Sequence, residues 1–422
     1  MRSVEEQQAR VSAAAVAPRP VRVAIAEAQG LMCAEEVIAE RPMPAFDQAA
    51  IDGYAVRSVD VFGAEAIGDS SEAAERDAAA VTLPVLGTIE AGARTPTRLQ
   101  PKLATRIQTG APMPTLADAV LPLRWTDGGS SRVRVLRGVR PGDYVRRIGD
   151  DVQPGDLAVR AGTVVGAAQV GLLAAVGRDR VLVHPRPRLS VLAVGGELVD
   201  VTRTPGNGQV YDVDSYALAA AGRDAGAEVN RVGIVSGEPR KLREVVEGQL
   251  NRAEVVVIAG GVGGAAADEV RAALSDLGEI EVARIAMHPG SVQGFGQLGP
   301  EGVPTFLLPT NPVSALVVFE VMIRPLIRLS LGKREPMRRM VRARTLGPIS
   351  SMPARKGYLR GQLMRDEQTD EYLVQVLGAT GGTSSHLLAT LAEANCLVVV
   401  PEEVEQIATG EIVDVAFLAQ RG

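Results

Sequence analysis

Between about residues 172 and 331 the chain alternates short apolar runs with segments of helical periodicity, and this pattern constrains the fold most strongly. The apolar runs predict strands at residues 189–194, 229–234, 255–259 and 305–308, and the helical segments lie at 213–225, 240–249, 268–277 and 313–331. Strands that alternate with helices are typical of a mostly parallel α/β sheet. Ligands of such sheets bind in the crevice at the carboxyl ends of the strands.

The segments on either side of this region have β character. Residues 84–139 contain short β-type runs separated by Gly and Pro, and residues 58–80 have the composition of an exposed loop. After residue 331, strands are expected at 338–346, 358–364, 372–377, 397–400 and 411–417, with a helix near 385–394. At the amino end, Ser3 and Glu6 form a capping-box pattern that predicts a short helix, and a second helix is expected to begin near Ile25. The fold class is therefore α/β and multidomain.

Length and composition limit the possible functions. A chain of 422 residues that is 46% apolar has material for several cores. A net charge of −5 and thirteen aromatic residues give neither the charge nor the stacking surfaces of a nucleic-acid binder. No stretch reaches the ~18 uninterrupted apolar residues of a membrane span. We therefore expect a cytoplasmic protein that neither binds nucleic acid nor inserts into a membrane.

Three strands of the α/β region end in loops that contain Gly-Gly pairs or an Asn-Pro pair, at 193–198, 259–264 and 309–315. Their glycines allow backbone N–H groups to approach an anion, and Asn311 with Pro312 has the pattern of a helix start. These loops predict a site for a phosphate or a carboxylate. The alternative is that the glycines serve only tight turns between strands and helices.

Other motif-based functions have less support. Gly261, Gly263 and Ala266 fit a dinucleotide-binding spacing, with Glu281 as the ribose-binding acid, but two strand–helix units precede them. The sequence contains no phosphate-binding P-loop, no H-E-x-x-H and no paired C-x-x-C motif. Of the three histidines, His288 in the sequence His-Pro-Gly is the best placed for acid–base chemistry, and the alternative is an ordinary loop histidine.

Six segments of the chain together resemble one family, the MoeA molybdopterin molybdenumtransferases with the homologous E domain of gephyrin. The segments are PAFDQAAIDGYAV at 44–56, TGAPMP at 109–114 with DAV at 118–120, RRIGDDV at 146–152, GGV at 260–262, NPVSA at 311–315, and SHL at 385–387 with AN at 394–395. They are dispersed over nearly the whole chain and occur in the family's order, so the resemblance is specific.

The resemblance implies an elongated MoeA-like subunit with a MogA-like α/β domain, an inserted β domain and a C-terminal β barrel. The implied parts are an N-terminal helix at 1–19 that packs on domain III, domain I at 20–45 and 140–168, domain II at 46–139, domain III at 169–331 and domain IV at 332–422. It also implies a homodimer with the active cleft between subunits. Family enzymes insert molybdate, with Mg²⁺, into an adenylylated molybdopterin.

The resemblance also assigns residues to roles. The implied catalytic residues are Asp52, Glu197 and Asp268, of which Glu197 and Asp268 are also the implied magnesium ligands. The implied molybdopterin-binding residues are Gly195, Gly260, Gly261, Gly263, His288, Pro289, Gly290, Asn311, Pro312 and Ser314.

The chain departs from the family pattern in these loops. Gly196 replaces an acid, Gly263 a serine, His288 and Ser291 lysines, and Thr310 a glycine, while Asp212-Val213-Asp214 stands in place of D-S-N. A charge-assisted hydrogen bond contributes roughly 1.5 to 3 kcal/mol, so the combined loss is on the order of 5 kcal/mol of transition-state stabilisation. This arithmetic predicts weak or absent transferase activity.

Two hypotheses follow. The first is a gephyrin-like scaffold with a degraded active site, whose residues Tyr358, Arg360, Pro401 and Asp414 bind a short peptide. The peptide would come from an FtsZ-like cytoskeletal protein or a membrane receptor, which could recruit the chain to the membrane or division site. The second is a working molybdopterin molybdenumtransferase, and only this hypothesis requires magnesium and molybdopterin.

Overall fold

The computed structural model describes residues 1–62, 81–94, 97–263, 266–378 and 387–418. Within it the chain forms two compact units, one made of residues 1–21 with 184–422 and the other of residues 22–183. Most of the exposed loop predicted at 58–80, and Ser385 and His386 at the start of the predicted helix near 385–394, lie outside the described residues.

The helices are α1 Val4–Ala13, α2 Ser58–Val61, α3 Ala167–Ala175, α4 Asp214–Ala225, α5 Pro239–Leu250, α6 Ala267–Leu274, α7 Pro312–Val318, α8 Arg324–Ser330 and α9 Leu388–Glu393, with a 3₁₀ turn at Leu123–Trp125 and a π-helical segment at Phe319–Ile323.

The strands of residues 22–183 and their immediate flanks are β1 Val21–Ala24, β2 Met32–Cys33, β3 Val37–Ile38, β4 Gln48–Ala49, β5 Gly53–Val56, β6 Thr82–Ile89, β7 Ala104–Ile107, β8 Ala119–Pro122, β9 Arg132–Arg134, β10 Val145–Arg146, β11 Leu157–Val159 and β12 Arg180–His184. The remaining strands are β13 Arg188–Val194, β14 Leu198–Val199, β15 Val210–Tyr211, β16 Glu228–Val235, β17 Val255–Ala259, β18 Ile280–Arg284, β19 Met287–His288, β20 Val292–Leu298, β21 Val303–Leu308, β22 Met340–Thr345, β23 Ile349–Ser350, β24 Lys356–Arg365, β25 Tyr372–Val376, β26 Cys396–Val400, β27 Gln406–Ile407 and β28 Ile412–Phe417.

A six-stranded sheet in the order β16-β13-β17-β21-β20-β18 forms the centre of the larger unit. The first four strands are parallel, and β20 and β18 join antiparallel at the other edge. Every residue of β17 and β21 is buried, as expected where helices cover both faces of a sheet. One apolar cluster lies on each side of the sheet, around Phe306 on one face and Leu307 on the other. The predicted parallel α/β sheet is confirmed.

The chain before the sheet differs from the sequence prediction in one element. Ser3 and Glu6 form the predicted capping box, with Ser3 Oγ accepting the Glu6 N–H at 3.1 Å. The helix predicted from Ile25 is wrong, because Val21–Ala24 form a strand that pairs with β12 and the chain then turns. Alternating Val and Arg at 21–23 suit a half-exposed strand better than a helix.

The helix predicted at 313–331 is present as one helical run, but it is not a regular α-helix throughout. Helix α7 passes into the π-helical segment Phe319–Ile323, and α8 follows with Pro325 as its second residue. Proline has no N–H to donate and its ring crowds the carbonyl four residues before it, so a regular α-helix cannot continue through Pro325. The π segment absorbs this mismatch without ending the helical run.

The C-terminal strands form a closed five-stranded barrel in the order β24-β25-β22-β28-β26, and β26 returns to pair with β24. The predicted C-terminal β barrel is therefore confirmed. The smaller unit contains a five-stranded sheet in the order β8-β5-β7-β6-β9, with the fully buried Tyr54 at its centre donating its hydroxyl to the Gly129 carbonyl at 3.0 Å. Across the described ranges, no helix combines the length and apolar character that crossing a membrane requires.

The buried position of Leu307 predicts a large stability cost on truncation. Leu307 is fully buried and its side chain lies over Gly261 and Gly294, so Leu307→Ala leaves a cavity in the sheet centre. We expect a loss of about 2 to 5 kcal/mol, seen as a lower unfolding temperature in calorimetry. The matched control is Leu346→Ala, whose residue is 45% exposed and should cost less than about 0.5 kcal/mol. Equal effects of the two substitutions would contradict the assignment of the core.

Candidate functional site

Three parallel strands end at the same edge of the six-stranded sheet. Ala193 on β13 lies opposite Ala259 on β17, which lies opposite Leu308 on β21. Because the strands are in register, the three loops that follow them leave the sheet side by side. A cavity of about 330 Å³ opens there, within the size range of small-molecule sites. It is lined by Ala193, Val194, Glu197, Leu198, Val210, Tyr211, Val213, Asp214, Ala259, Gly260, Thr310 and Pro312.

Gly260 is required by the close approach of two strands. Its φ is +88°, and a Cβ at this position would lie 2.0 Å from the carbonyl oxygen of Val194. Its N–H donates to the Leu308 carbonyl at 3.0 Å, which ties the end of β17 to the end of β21. Gly260 therefore forms a tight turn and also lines the cavity. The two interpretations of the loop glycines, a ligand site and a turn between strand and helix, are compatible at this position.

The other predicted glycines have different surroundings. Gly195 lies beside the carboxylate of Glu197, since a Cβ there would be 2.7 Å from Oε2. Gly261 packs on the side chain of Leu307, whereas Gly263 is exposed and faces open space at a φ of +70°. Of these, Gly260 is the one that lines the cavity.

The predicted start of the helix after β21 is confirmed. Asn311 is the N-cap residue and its Oδ1 accepts the Ser314 N–H at 3.0 Å, with Pro312 as the first helical residue. The His288-Pro289-Gly290 segment ends beside this turn, because a Cβ on Gly290 would lie 3.2 Å from the Ser314 carbonyl oxygen. His288 itself is held in β19, opposite Gly357 of β24.

The three predicted catalytic acids have different positions. Glu197 lines the cavity. Asp268 does not, since its side chain is 87% exposed and forms an ion pair with Arg271 one turn further along α6. Asp52 belongs to the smaller unit, where its Oδ1 accepts the Thr109 N–H at 2.7 Å and closes a loop.

The predicted magnesium ligands do not form a metal-binding group. Glu197 and Asp268 were expected to share the ion, yet the cavity wall contains only the first of them. Among the residues that the structure describes, no three acidic, histidine or cysteine side chains are arranged to hold a metal.

Sequence analysis missed the acid with the most unusual surroundings, Asp214. It is the first residue of α4, is 9% exposed and lines the cavity, and its Oδ1 is enclosed without a hydrogen-bond partner. Burial, and secondarily the charge of Asp212, raise the pKa of Asp214 to about 7. The signal that could have found it was an aspartate in place of the family's asparagine at the start of a helix.

Asp212, two residues away, has the opposite environment. Its Oδ1 accepts the Ser215 N–H at 2.9 Å, its Oδ2 accepts the Ser215 hydroxyl, and Arg231 Nη1 lies 3.8 Å from Oδ2. Arg231 also donates to Ser215 Oγ at 3.1 Å. The charge of Asp212 is thus fully compensated while that of Asp214 is not, which is how paired carboxyl groups acquire different roles.

The cavity wall has acidic rather than basic character. Glu197 and Asp214 contribute carboxyl groups, and none of the residues that line the cavity is Lys, Arg or His. A negative charge bound there would be repelled by Glu197, and above about pH 7 by Asp214 as well. The wall therefore favours the N–H-bearing part of a ligand over a phosphate or a carboxylate.

The predicted peptide-binding residues have different positions, and Tyr358 lines a second cavity, of about 210 Å³, with Gln8, Val321 and Leu397. Tyr358 and Arg360 are each 8% exposed, and both are part of the barrel strand β24. Burial raises the pKa of the Tyr358 hydroxyl, as expected for a phenol packed among apolar side chains. Pro401 and Asp414 are exposed at the end of β26 and on β28.

Comparison with known proteins covers the chain in three consecutive parts. The MoeA N-terminal region (domain I and II) matches residues 2–177, a probable molybdopterin binding domain matches residues 190–329, and the MoeA C-terminal region (domain IV) matches residues 342–418. The cavity lies within the second of these segments.

Relatives and solved structures match over almost the full length. Molybdopterin molybdenumtransferase 1 of Mycobacterium tuberculosis is 79% identical and covers 100% of each chain, and molybdopterin molybdenumtransferase 2 of the same organism is 37% identical over 97% of this chain and 98% of its own. The crystal structure of the molybdopterin biosynthesis MoeA protein from Pyrococcus horikosii has a TM-score of 0.80 at 30% identity, covering 99% of both chains.

These matches overturn the prediction of a gephyrin-like scaffold with a degraded active site. A chain that is 79% identical over its full length to a molybdopterin molybdenumtransferase supports the enzyme hypothesis instead. The prediction was wrong because it summed the losses from replaced side chains as independent terms. Energies of neighbouring residues in one site are not additive, so such a sum does not measure activity.

The raised pKa of Asp214 predicts a pH-dependent effect of Asp214→Asn on stability. The carboxyl is protonated in the folded state up to about pH 7, whereas in the unfolded chain it ionises near 3.8. Wild-type stability should therefore fall as pH rises from about 4 to 7 and level off above 7. The variant lacks this charge and should gain up to about 4 kcal/mol over wild type at pH 8, and little at pH 4.

Denaturant unfolding at a series of pH values checks this expectation. Glu228→Gln is the matched control, because Glu228 is exposed at the amino end of β16, opposite the cavity edge. Its pH profile should follow that of wild type. If the free energies of unfolding of Asp214→Asn and wild type change with pH in parallel, the raised pKa of Asp214 is wrong.

Proposed function

The chain belongs to the MoeA family, and on that premise we propose that it is a molybdopterin molybdenumtransferase, an enzyme that inserts molybdate into molybdopterin. The observation that carries the proposal is the full-length match, at 79% identity, to a protein of that name. The structure adds support, because a cavity of suitable size opens at the carboxyl edge of the parallel sheet, within the segment that matches a molybdopterin-binding domain.

The substrates implied by the family are molybdate and an adenylylated molybdopterin. In the proposed reaction, two thiol groups of the pterin cofactor replace one oxygen of molybdate, and the two thiol protons leave with that oxygen as water. The chain must therefore bind the pterin rigidly and provide a group that moves protons between sulfur and oxygen.

Glu197 is the residue that we assign to proton transfer. It lines the cavity, is exposed to solvent and has its carboxylate beside Gly195. A carboxylate in this position can accept a proton from a thiol and return it to a departing oxygen. Gly260 lines the same cavity, and its missing Cβ lets the end of β17 lie against the Val194 carbonyl.

An assay of molybdate insertion into purified adenylylated molybdopterin tests the function and the role of Glu197 together. Wild type should form active cofactor, and Glu197→Gln should lower the rate by about 10²- to 10⁴-fold, the usual contribution of a general acid–base group. Glu228→Gln removes the same charge at the opposite edge of the sheet and should retain wild-type turnover. A wild-type protein without molybdate-dependent product would overturn the proposed function.

We also propose a homodimer, as the family resemblance implies. Sedimentation equilibrium at micromolar concentration should then give a species of twice the 44.3 kDa chain mass. A species of 44.3 kDa alone would contradict this proposal and leave the chemical assignment unaffected.

A further inference from the structure

We infer that Asp214 is the residue that recognises the pterin ring, by accepting hydrogen bonds from the edge of the ring that carries an amino group beside a ring N–H. This inference rests on the proposed function and extends it, since it names the part of the substrate that enters the cavity. The inference also sets the orientation of the substrate, because it places the pterin ring inside the cavity.

The first argument is the position of the side chain. Asp214 is nine-tenths buried, forms part of the cavity wall, and has an enclosed Oδ1 with no hydrogen-bond partner among the described residues. Buried polar atoms are almost always paired, and an unpaired one carries a desolvation cost. A carboxyl group at the wall of a ligand cavity and without a protein partner is suited to receive that partner from the ligand.

The second argument is the set of charges around Asp214. Asp212 precedes it by two residues and is compensated by Arg231 of β16, at 3.8 Å. Glu197 and the phenol of Tyr211 lie on the same cavity wall, and Asp200 and Tyr216 are held by Arg231 beyond it. The ends of β17 and β21 contribute Ala259, Gly260, Thr310 and Pro312, none of which is ionisable. The surroundings therefore attract hydrogen-bond donors and disfavour anions.

The third argument is the shape of the pterin edge. Its amino group and adjacent ring N–H point in the same direction, as two N–H groups of an arginine side chain do. A carboxylate accepts such a pair through both oxygens, which gives orientation as well as affinity. The phosphate would then lie at the far end of the substrate, and the dithiol group that receives molybdate would lie toward Glu197.

This arrangement couples binding to proton release. The paired N–H groups need the ionised carboxylate, whereas the free protein holds Asp214 largely protonated below pH 7. Binding therefore requires loss of the proton, and apparent affinity is reduced by the fraction of protein in the wrong protonation state. Between pH 5.5 and 7.5 the affinity should rise by about 20-fold.

Calorimetric titration with neopterin and lumazine tests the inference. Neopterin has the amino and ring N–H pair but neither phosphate nor dithiol groups, and lumazine has an oxygen in place of the amino group. At pH 7.5, wild type should bind neopterin about 10- to 100-fold more tightly than lumazine, as loss of a hydrogen bond to a charged group predicts. Asp214→Asn should lose most of this preference and its pH dependence, and Glu228→Gln should keep both.

A second measurement does not depend on a variant that folds. Titrations of wild type with neopterin at pH 6.5 in two buffers of different ionisation enthalpy report the protons released on binding. We expect release of more than half a proton per ligand, since most of the carboxyl is protonated before binding. A structural role for Asp214 alone would give no proton release.

Three results would overturn the inference: no binding of neopterin to wild type, equal binding of neopterin and lumazine, or binding without proton release. If any of these occurs while the molybdate assay is positive, the function stands and the role of Asp214 is wrong. If neopterin binds with the expected selectivity while molybdate is not inserted, the role of Asp214 stands and the proposed function is wrong.

Discussion

The in-register pairing of β13, β17 and β21 is the constraint on which the rest of the larger unit depends. These strands are buried along almost their whole length, and the hydrogen bonds between them fix where each one ends. Gly260 completes this arrangement, because only a residue without Cβ can lie against the Val194 carbonyl. The cavity is a consequence of this register: a shift of one residue would separate the three loops and turn core side chains to the opposite face.

Asp212 and Asp214 show how the same scaffold gives two identical side chains different properties. Asp212 satisfies the first turn of α4 and is compensated by Arg231, so it supports the fold. Oδ1 of Asp214 has no hydrogen-bond partner among the described residues, and the raised pKa of this carboxyl lowers the stability of the fold as pH rises from about 4 to 7. A residue that destabilises the folded state at neutral pH is expected where function requires an unsatisfied group. Both acids lie in the short segment in which β15 passes into α4, and this segment lies at the edge of the cavity.

The sequence was most informative where periodicity is strong. The parallel sheet, the Ser3 capping box and the Asn311 cap follow from local patterns that tertiary packing reinforces, whereas the C-terminal barrel was implied by the family resemblance. The segment at Ile25 was misassigned because the alternation of Val and Arg just before it, which favours a strand, was overlooked, and residues 21–24 pair with β12. The sequence shows a proline, Pro325, that a regular α-helix cannot contain in its interior. The π-helical form of the segment before it depends on the packing of the surrounding core.

The site was harder to predict than the fold. Glu197, Gly260 and Pro312 were expected at the cavity and line it, whereas Asp268 is directed to Arg271 and solvent. The importance of Asp214 depends on burial and on an absent partner, neither of which a sequence shows. The scaffold prediction failed for a related reason, since the substitutions were judged one by one although energies within one site are not additive.

Hydrogen–deuterium exchange of the full chain with and without molybdopterin tests most directly whether the carboxyl edge of the sheet is the substrate site. The account predicts slower exchange in the loop after β13 and at the start of α4, at residues 195–198 and 210–216, with no change at the opposite edge around residues 226–230. Unchanged exchange at the cavity, together with protection confined to the barrel or to the smaller unit, would contradict it.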